Sequence, residues 1–223
     1  MSDMAEPLAT DTVVLVPVGS WEQHGPHLPF DTDTVIAVAV ARRAAERLSP
    51  RPIVAAPLAY SSSGEHSGFA GTISIGAEAT TKVLVELIRS CDWARGVVLV
   101  NGHGGNLEVL RRVVATATRE GRRVATWSPR GDDARDTHAG HTETSVMMAL
   151  APDSVRLDLA VAGDTRPLDE IIGQMRRAGV RAVSPNGVLG DPTTATAAAG
   201  ESIIDSWTSD LVATIVDWLG ADA

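Results

Sequence analysis

Four short apolar runs set the rhythm of the chain: Val13 to Val18, Ile53 to Leu58, Val97 to Val100 and Val124 to Trp127. Their length and β-branched content predict buried strands. Apolar residues recur at helical spacing over Val35 to Leu48, Ala77 to Ile88, Leu107 to Arg119 and Thr142 to Leu150, with stop signals at Ser49-Pro50, Gly121 and Ala151-Pro152. Further on, Pro167 to Arg177 reads as a helix and Val180 to Asp191 as a Gly/Pro/Asn loop. Thr193 to Leu219 reads as a long closing helix, with Asp191 as its N-cap and Pro192 at its first position. Residues 1–12 read as a flexible N-terminal arm. Repeated strand, loop and helix predict an α/β fold in three layers, a central, mostly parallel sheet with helices on both faces. No linker or internal repeat divides the pattern, so residues 1–223 are expected to form one domain.

A sheet of that kind binds ligands beyond the carboxyl ends of its strands. Each predicted strand is followed by a polar loop: E-Q-H-G-P-H, S-G-E-H, N-G-H-G-G-N and D-T-H-A-G-H-T-E. These four loops hold all six histidines of the chain, which are therefore expected to converge on one rim. Composition narrows the chemistry. The formal net charge of −9, with no basic cluster beyond pairs such as Arg42-Arg43 and Arg122-Arg123, disfavours nucleic acid as a partner. Cys91 is the only cysteine, which removes intrachain disulfides and leaves thiolate chemistry unsupported. The N-terminal residues lack the basic and apolar regions of a secretory leader, and no apolar stretch reaches membrane length. A cytoplasmic location, without membrane association, is expected.

Within the first loop, Glu22 and His24 lie two residues apart, so two closely spaced ions can each take one of them. Asp33 falls on the first turn of the following helix, where backbone N–H groups favour a carboxylate. Its two oxygens make it the candidate bridge between two cations. Asp31 reads as that helix's cap. His103 stands between glycines that let the backbone pass close to a metal, although the same motif is compatible with a phosphate-cradling turn. His138 and Glu143 flank the start of a helix; alone they would be a structural histidine and a first-turn acid, and among the other loops they read as metal or catalytic groups. His27, His66 and His141 are open between support of a ligand, substrate contact and a place on the rim. Glu22, His24, Asp33, His103 and Glu143 form a thiolate-free set that suits two divalent ions of zinc, iron or manganese. Such a pair polarises a scissile carbonyl and acidifies water. His138 would then carry a proton to the leaving nitrogen.

These segments resemble the creatininase (creatinine amidohydrolase) family. P-V-G-S-W-E-Q-H-G-P-H-L-P-F-D-T-D-T, S-G-E-H-S-G-F-A-G-T, V-N-G-H-G-G-N, H-A-G-H-T-E-T-S and N-G-V-L-G-D-P-T-T-A-T occur in the family's order across residues 13–200. The resemblance implies the creatininase-like three-layer fold, a binuclear metal centre and a cyclic homo-oligomer, a ring of hexamer type. It implies Glu22, His24, bridging Asp33 and His103 as ligands, and His138 as the catalytic histidine. Creatininase carries a glutamate where this chain has Gly105, and Glu143 is taken as the substitute fifth ligand. The family's substrate-side tryptophan and aspartate are Ala134 and Arg135 here, which argues against creatinine. Ser63, Glu65 and His66 are expected to contact substrate.

Within the family, Y-S-S-S-G-E-H-S-G-F-A-G-T-I-S-I-G and A-V-S-P-N-G-V-L-G-D-P most resemble the mycofactocin-system branch. That implies a peptidase releasing a modified C-terminal Val-Tyr dipeptide from a ribosomally made precursor peptide. Two other functions fit parts of the pattern. One is small-molecule amide hydrolysis, by a creatininase or a formamide-releasing deformylase. The other is a non-catalytic metal-binding module, against which the presence of His138 beside all the ligands speaks.

Overall fold

β1 (Val13–Val18) and β3 (Gly96–Asn101) are buried along their whole length, as strands covered on both faces must be. A computed structural model describes residues 11–131 and 133–221 and shows these two strands paired in parallel, from Val13 opposite Gly96 to Val18 opposite Asn101. β2 (Ile53–Val54) flanks β1 and β4 (Val124–Trp127) flanks β3, giving the all-parallel order β2-β1-β3-β4. The two-residue period of a strand sorts the side chains. Leu15, Val98 and Val100 enter one core, while Val14, Val16, Val18 and Leu99 enter the other.

α1 (Thr32–Arg47), α4 (His141–Leu150) and α6 (Ala197–Gly220) cover the first core. α1 presents Ala37, Ala41, Ala44 and Ala45, all fully buried, so it approaches its neighbours closely while Trp207, Leu211 and Met147 fill the remaining space. α2 (Gly76–Ser90) and α3 (Leu107–Arg119) cover the second core with Leu84, Ile88, Leu110 and Val113. α5 (Leu168–Ala178) packs Ile171 against Val180 and Leu189 in a small third cluster. Among the described residues no helix is long and apolar enough to cross a membrane.

Several expected boundaries move, each for a local reason. The second strand is two residues long rather than the whole of Ile53 to Leu58. Pro57 has no N–H to give to a ladder, yet Ala55 N and Leu58 N still donate to Leu15 O and Pro17 O, both at 2.9 Å, and hold the segment beside β1. α1 starts at Thr32, and Asp31 occupies the cap position without its side chain making a capping hydrogen bond. The long closing helix starts later than expected. Asp191 caps a separate turn, Pro192–Thr194, through Thr193 N at 2.9 Å. Thr196, in extended conformation, then caps α6 by accepting from Ala199 N at 3.1 Å. A threonine cap followed by three alanines is a strong helix start. Of the expected N-terminal arm, residues 1–10 lie outside the described residues, whereas Thr12 is buried and its carbonyl accepts from Arg95 N.

Candidate metal centre

The carboxyl ends of β1 and β3 meet the first turn of α1, and glycine permits the contact. A Cβ on Gly102 would lie 2.3 Å from the Asp33 carbonyl oxygen. Gly102 N donates to Val18 O at 2.8 Å, tying the two strand exits together. Asp33 is thereby held in the crevice between strand ends, fully enclosed, with Ser20 Oγ donating to its Oδ2 at 2.7 Å. Asn106, at the end of N-G-H-G-G-N, bonds Asn101 Oδ1 and Gly19 O and so braces the turn that carries His103.

Backbone carbonyls orient two of the histidines. His24 Nδ1 lies 3.0 Å from Glu22 O, so that nitrogen carries a proton and Nε2 is the nitrogen that could turn to a cation. His103 Nε2 lies 3.1 Å from Ser62 O, leaving Nδ1 as the nitrogen that could turn to a cation. Both of these nitrogens face carboxylates. His24 Nε2 is 3.1 Å from Asp33 Oδ1 and 4.0 Å from Glu143 Oε2. His103 Nδ1 is 3.1 Å from Glu22 Oε1 and 3.2 Å from Asp33 Oδ2. Nitrogens packed this closely against anions need positive charge beside them, which a second ring proton supplies in the metal-free protein and a bound cation would supply in its place. A proton meets that need poorly at Glu22: it is 0 % exposed and neither of its oxygens has a well-directed hydrogen bond, although His103 Nδ1 is close.

The ionisation of the cluster follows from this crowding. Burial opposes charge on His24, but Asp33, then Glu143 and Glu22, outweigh it and hold its pKa at about 10. Burial likewise opposes charge on His103, and Glu22 and Asp33 raise it well above the usual imidazole value. Asp33 is held well below the carboxylate range, against its burial, by His24 and His103. Glu22 is raised chiefly by burial. Glu143 is raised to about 7, chiefly by burial, while Ala139 N donates to its Oε2 at 2.6 Å. Ala139 itself has φ 52°, a left-handed conformation strained for a residue with a Cβ, between His138 and the start of α4.

The ligand-type atoms fall into overlapping triads, each within 4.8 Å: Glu22, Asp33 and His103; His24, Asp33 and Glu143; Glu22, His24 and His138. Asp33 belongs to the first two and turns a different oxygen to each. The hard carboxylates and borderline imidazoles fit a pair of divalent cations, and each ligand-type histidine has its other nitrogen tied to a backbone carbonyl, the usual support for a metal-bound imidazole.

His138 is buried beside this set. Its Nε2 donates to Gln23 O at 2.8 Å, which leaves Nδ1 as a base 3.7 Å from Glu22 Oε1. Burial, helped by His24, lowers its pKa to about 3, so it is neutral. The Gln23 amide donates to His66 Nδ1 and Gly187 O, and its oxygen accepts from Gly25 N. That turns His66 Nε2–H toward Glu22 at 3.4 Å. Ser63 is buried with no partner for its Oγ, and Glu65 lies behind His103 with Oε1 3.3 Å from Nε2. A Cβ on Gly105 would sit 2.0 Å from that Glu65 oxygen. His27 is buried against Thr144 Oγ1 at 2.9 Å, and burial lowers its pKa to about 4. His141 alone leaves the group: it bonds Thr194 Oγ1 beside α6, where a separate 890 Å³ cleft opens. That larger cleft contains none of the clustered carboxylates, whereas a 460 Å³ cavity lined by Gln23, His24, Phe30, Phe69 and Arg181 opens onto the cluster itself.

Ser20, Gln23, Asn106 and Thr144 are the supporting residues that sequence reasoning missed. Only Gln23, inside E-Q-H-G, carried a signal, as a polar neighbour of two candidate ligands.

An α/β sheet whose strand ends close on a buried Glu/Asp/His cluster is the architecture of a metal-dependent hydrolase. The chain belongs to the creatininase family of amidohydrolases: the family model described as "Creatininase: Creatinine amidohydrolase" matches residues 1–215. It is 52% identical over 213 residues, 92% of this chain and 85% of the relative, to the mycofactocin precursor peptide peptidase of Mycobacterium ulcerans (strain Agy99). It is similar in structure to "Creatininase Mn", with TM-score 0.77 and 29% identity, covering 93% of this chain and 91% of that one. A glutamate-to-glutamine mutant creatininase of "Zn-Zn type" matches with TM-score 0.76 and 29% identity, over 94% of this chain and 91% of that one.

Proposed function

We propose that the chain, acting as one domain, is a binuclear metal-dependent peptidase that trims the C-terminal end of the mycofactocin precursor peptide, releasing the modified Val-Tyr dipeptide. The single observation that carries the metal reading is Asp33, whose two oxygens lie 3.1 and 3.2 Å from nitrogens of two different imidazoles, each ring anchored through its other nitrogen to a backbone carbonyl. Half identity to a mycofactocin precursor peptide peptidase over most of both chains supports the substrate. On this reading Glu22, Asp33 and His103 would hold one ion and His24, Asp33 and Glu143 would hold the other, with zinc, iron or manganese as candidates. When bound, the ions supply Lewis acidity to the scissile carbonyl and lower the pKa of water.

The chain's own residues do the rest. His138 Nδ1, its ring locked by Gln23 O, takes the proton from water and delivers it to the departing amide nitrogen. Gln23 and His66 fix the wall on that side of the cluster. The protein works as a homo-oligomer of ring type, free of nucleic acid and membrane, in the cytoplasm. Incubating the purified, metal-loaded protein with modified precursor peptide and following products by mass spectrometry tests the proposal. Release of the C-terminal dipeptide is expected. Inert peptide together with hydrolysis of creatinine or a formylated pyrimidine would transfer the activity to small amides.

A further inference from the structure

The metal reading uses one nitrogen of His103; the other is also faced by a carboxylate. His103 Nε2–H points to Ser62 O at 3.1 Å, and Glu65 Oε1 stands beside the same hydrogen at 3.3 Å. Glu65 comes from a different loop, on the turn Gly64–His66, and its side chain is three-quarters covered. The space it enters exists because Gly105 has no side chain. A Cβ there would lie 2.0 Å from Glu65 Oε1 and 2.3 Å from His103 Nε2. A carboxylate next to the outer N–H of an imidazole fixes the tautomer, restrains ring rotation and makes the opposite nitrogen more basic toward a cation. A salt bridge to a surface partner would not need such an opening, and Glu65 has no other ion-pair partner among the described residues.

We propose that Glu65 is a positioning residue for His103, setting the strength of the cation position formed with Glu22 and Asp33, and that Gly105 is the opening that admits it. This rests on the cluster holding cations. The test is zinc affinity and zinc content of the full-length protein, measured by chelator competition and elemental analysis, alongside the melting temperature of the metal-free form. Glu65→Ala is expected to weaken one of two zinc positions by about 10–100-fold and to leave the metal-free melting temperature unchanged. Glu65→Gln should recover most of the affinity, because an amide oxygen still accepts from Nε2–H. Gly105→Ala should weaken the same position, since its methyl competes for the space of Glu65 and the ring. Wild-type affinity at both positions in Glu65→Ala overturns the inference while leaving the metal reading intact. So does a loss that Gln fails to rescue and that lowers metal-free melting in parallel. Wild-type protein that binds no zinc, iron or manganese overturns the metal reading, and the inference with it.

Discussion

At the scale of single residues, Asp33 has the most depending on it. Its two oxygens face two different ligand-type imidazoles, His24 and His103, in two of the triads. Asp33→Ala is expected to remove both ions, and elemental analysis finding one ion at full occupancy would refute the bridge. His138 sits differently, with its base nitrogen toward Glu22 and its N–H spent on Gln23 O. His138→Ala should cut turnover by about 10²–10⁴-fold, the usual size of a general acid–base contribution, while both ions stay bound; unchanged turnover would rule out the proton role. Asp33 could be picked out in the sequence because a carboxylate in a first helical turn after a histidine-rich loop is a local pattern. Ser20 and Asn106 could not, because their partners lie at Asp33 and Gly19, and only folding sets those distances.

At the scale of elements, sequence patterns located the strands and helices well where apolar periodicity was unbroken, as in β1, α3 and β4. They failed where turn chemistry competed. Asp191-Pro192 has the signature of a helix start and does start a turn, but the extended Ala195 and Thr196 interrupt it before α6 begins. Thr196→Ala is expected to lower stability by about 1 kcal/mol through loss of the cap, read as a shift in denaturant midpoint. The α4–α6 contact is tighter still: a Cβ on Gly200 would lie 1.9 Å from Ser145 O, a backbone atom with little room to yield. Gly200→Ala should therefore cost about 1–3 kcal/mol by overpacking. Metal content measured on the folded fraction should not change in either variant.

At the scale of the whole molecule, surface charge and cation binding add separate contributions. On the exposed side of α2 and α3, Arg122 makes a two-pronged contact with Asp92 at 2.7 and 2.9 Å, and Arg89 joins Glu86 and Glu120. Hydrogen bonds from Arg122 hold Asp92 below its usual pKa, and those from Arg89 do the same for Glu120. Both acids therefore add stability above the unfolded carboxylate range and lose it as pH falls through their lowered folded values. A pH titration of melting in metal-free protein should show this loss on the acid side, and Glu120→Gln should flatten it. Cation binding acts by mass action: free ion at a hundred times its dissociation constant stabilises by about 2.7 kcal/mol. Chelation should thus lower the melting temperature, and a melting curve indifferent to chelator would contradict occupancy of the cluster.

The two apolar cores lie on opposite faces of the sheet, while the clustered carboxylates and imidazoles gather beyond its strand ends. On the proposed metal reading, metal-free protein is therefore expected to fold with both cores intact, so that cation supply would act on activity rather than on assembly of the fold.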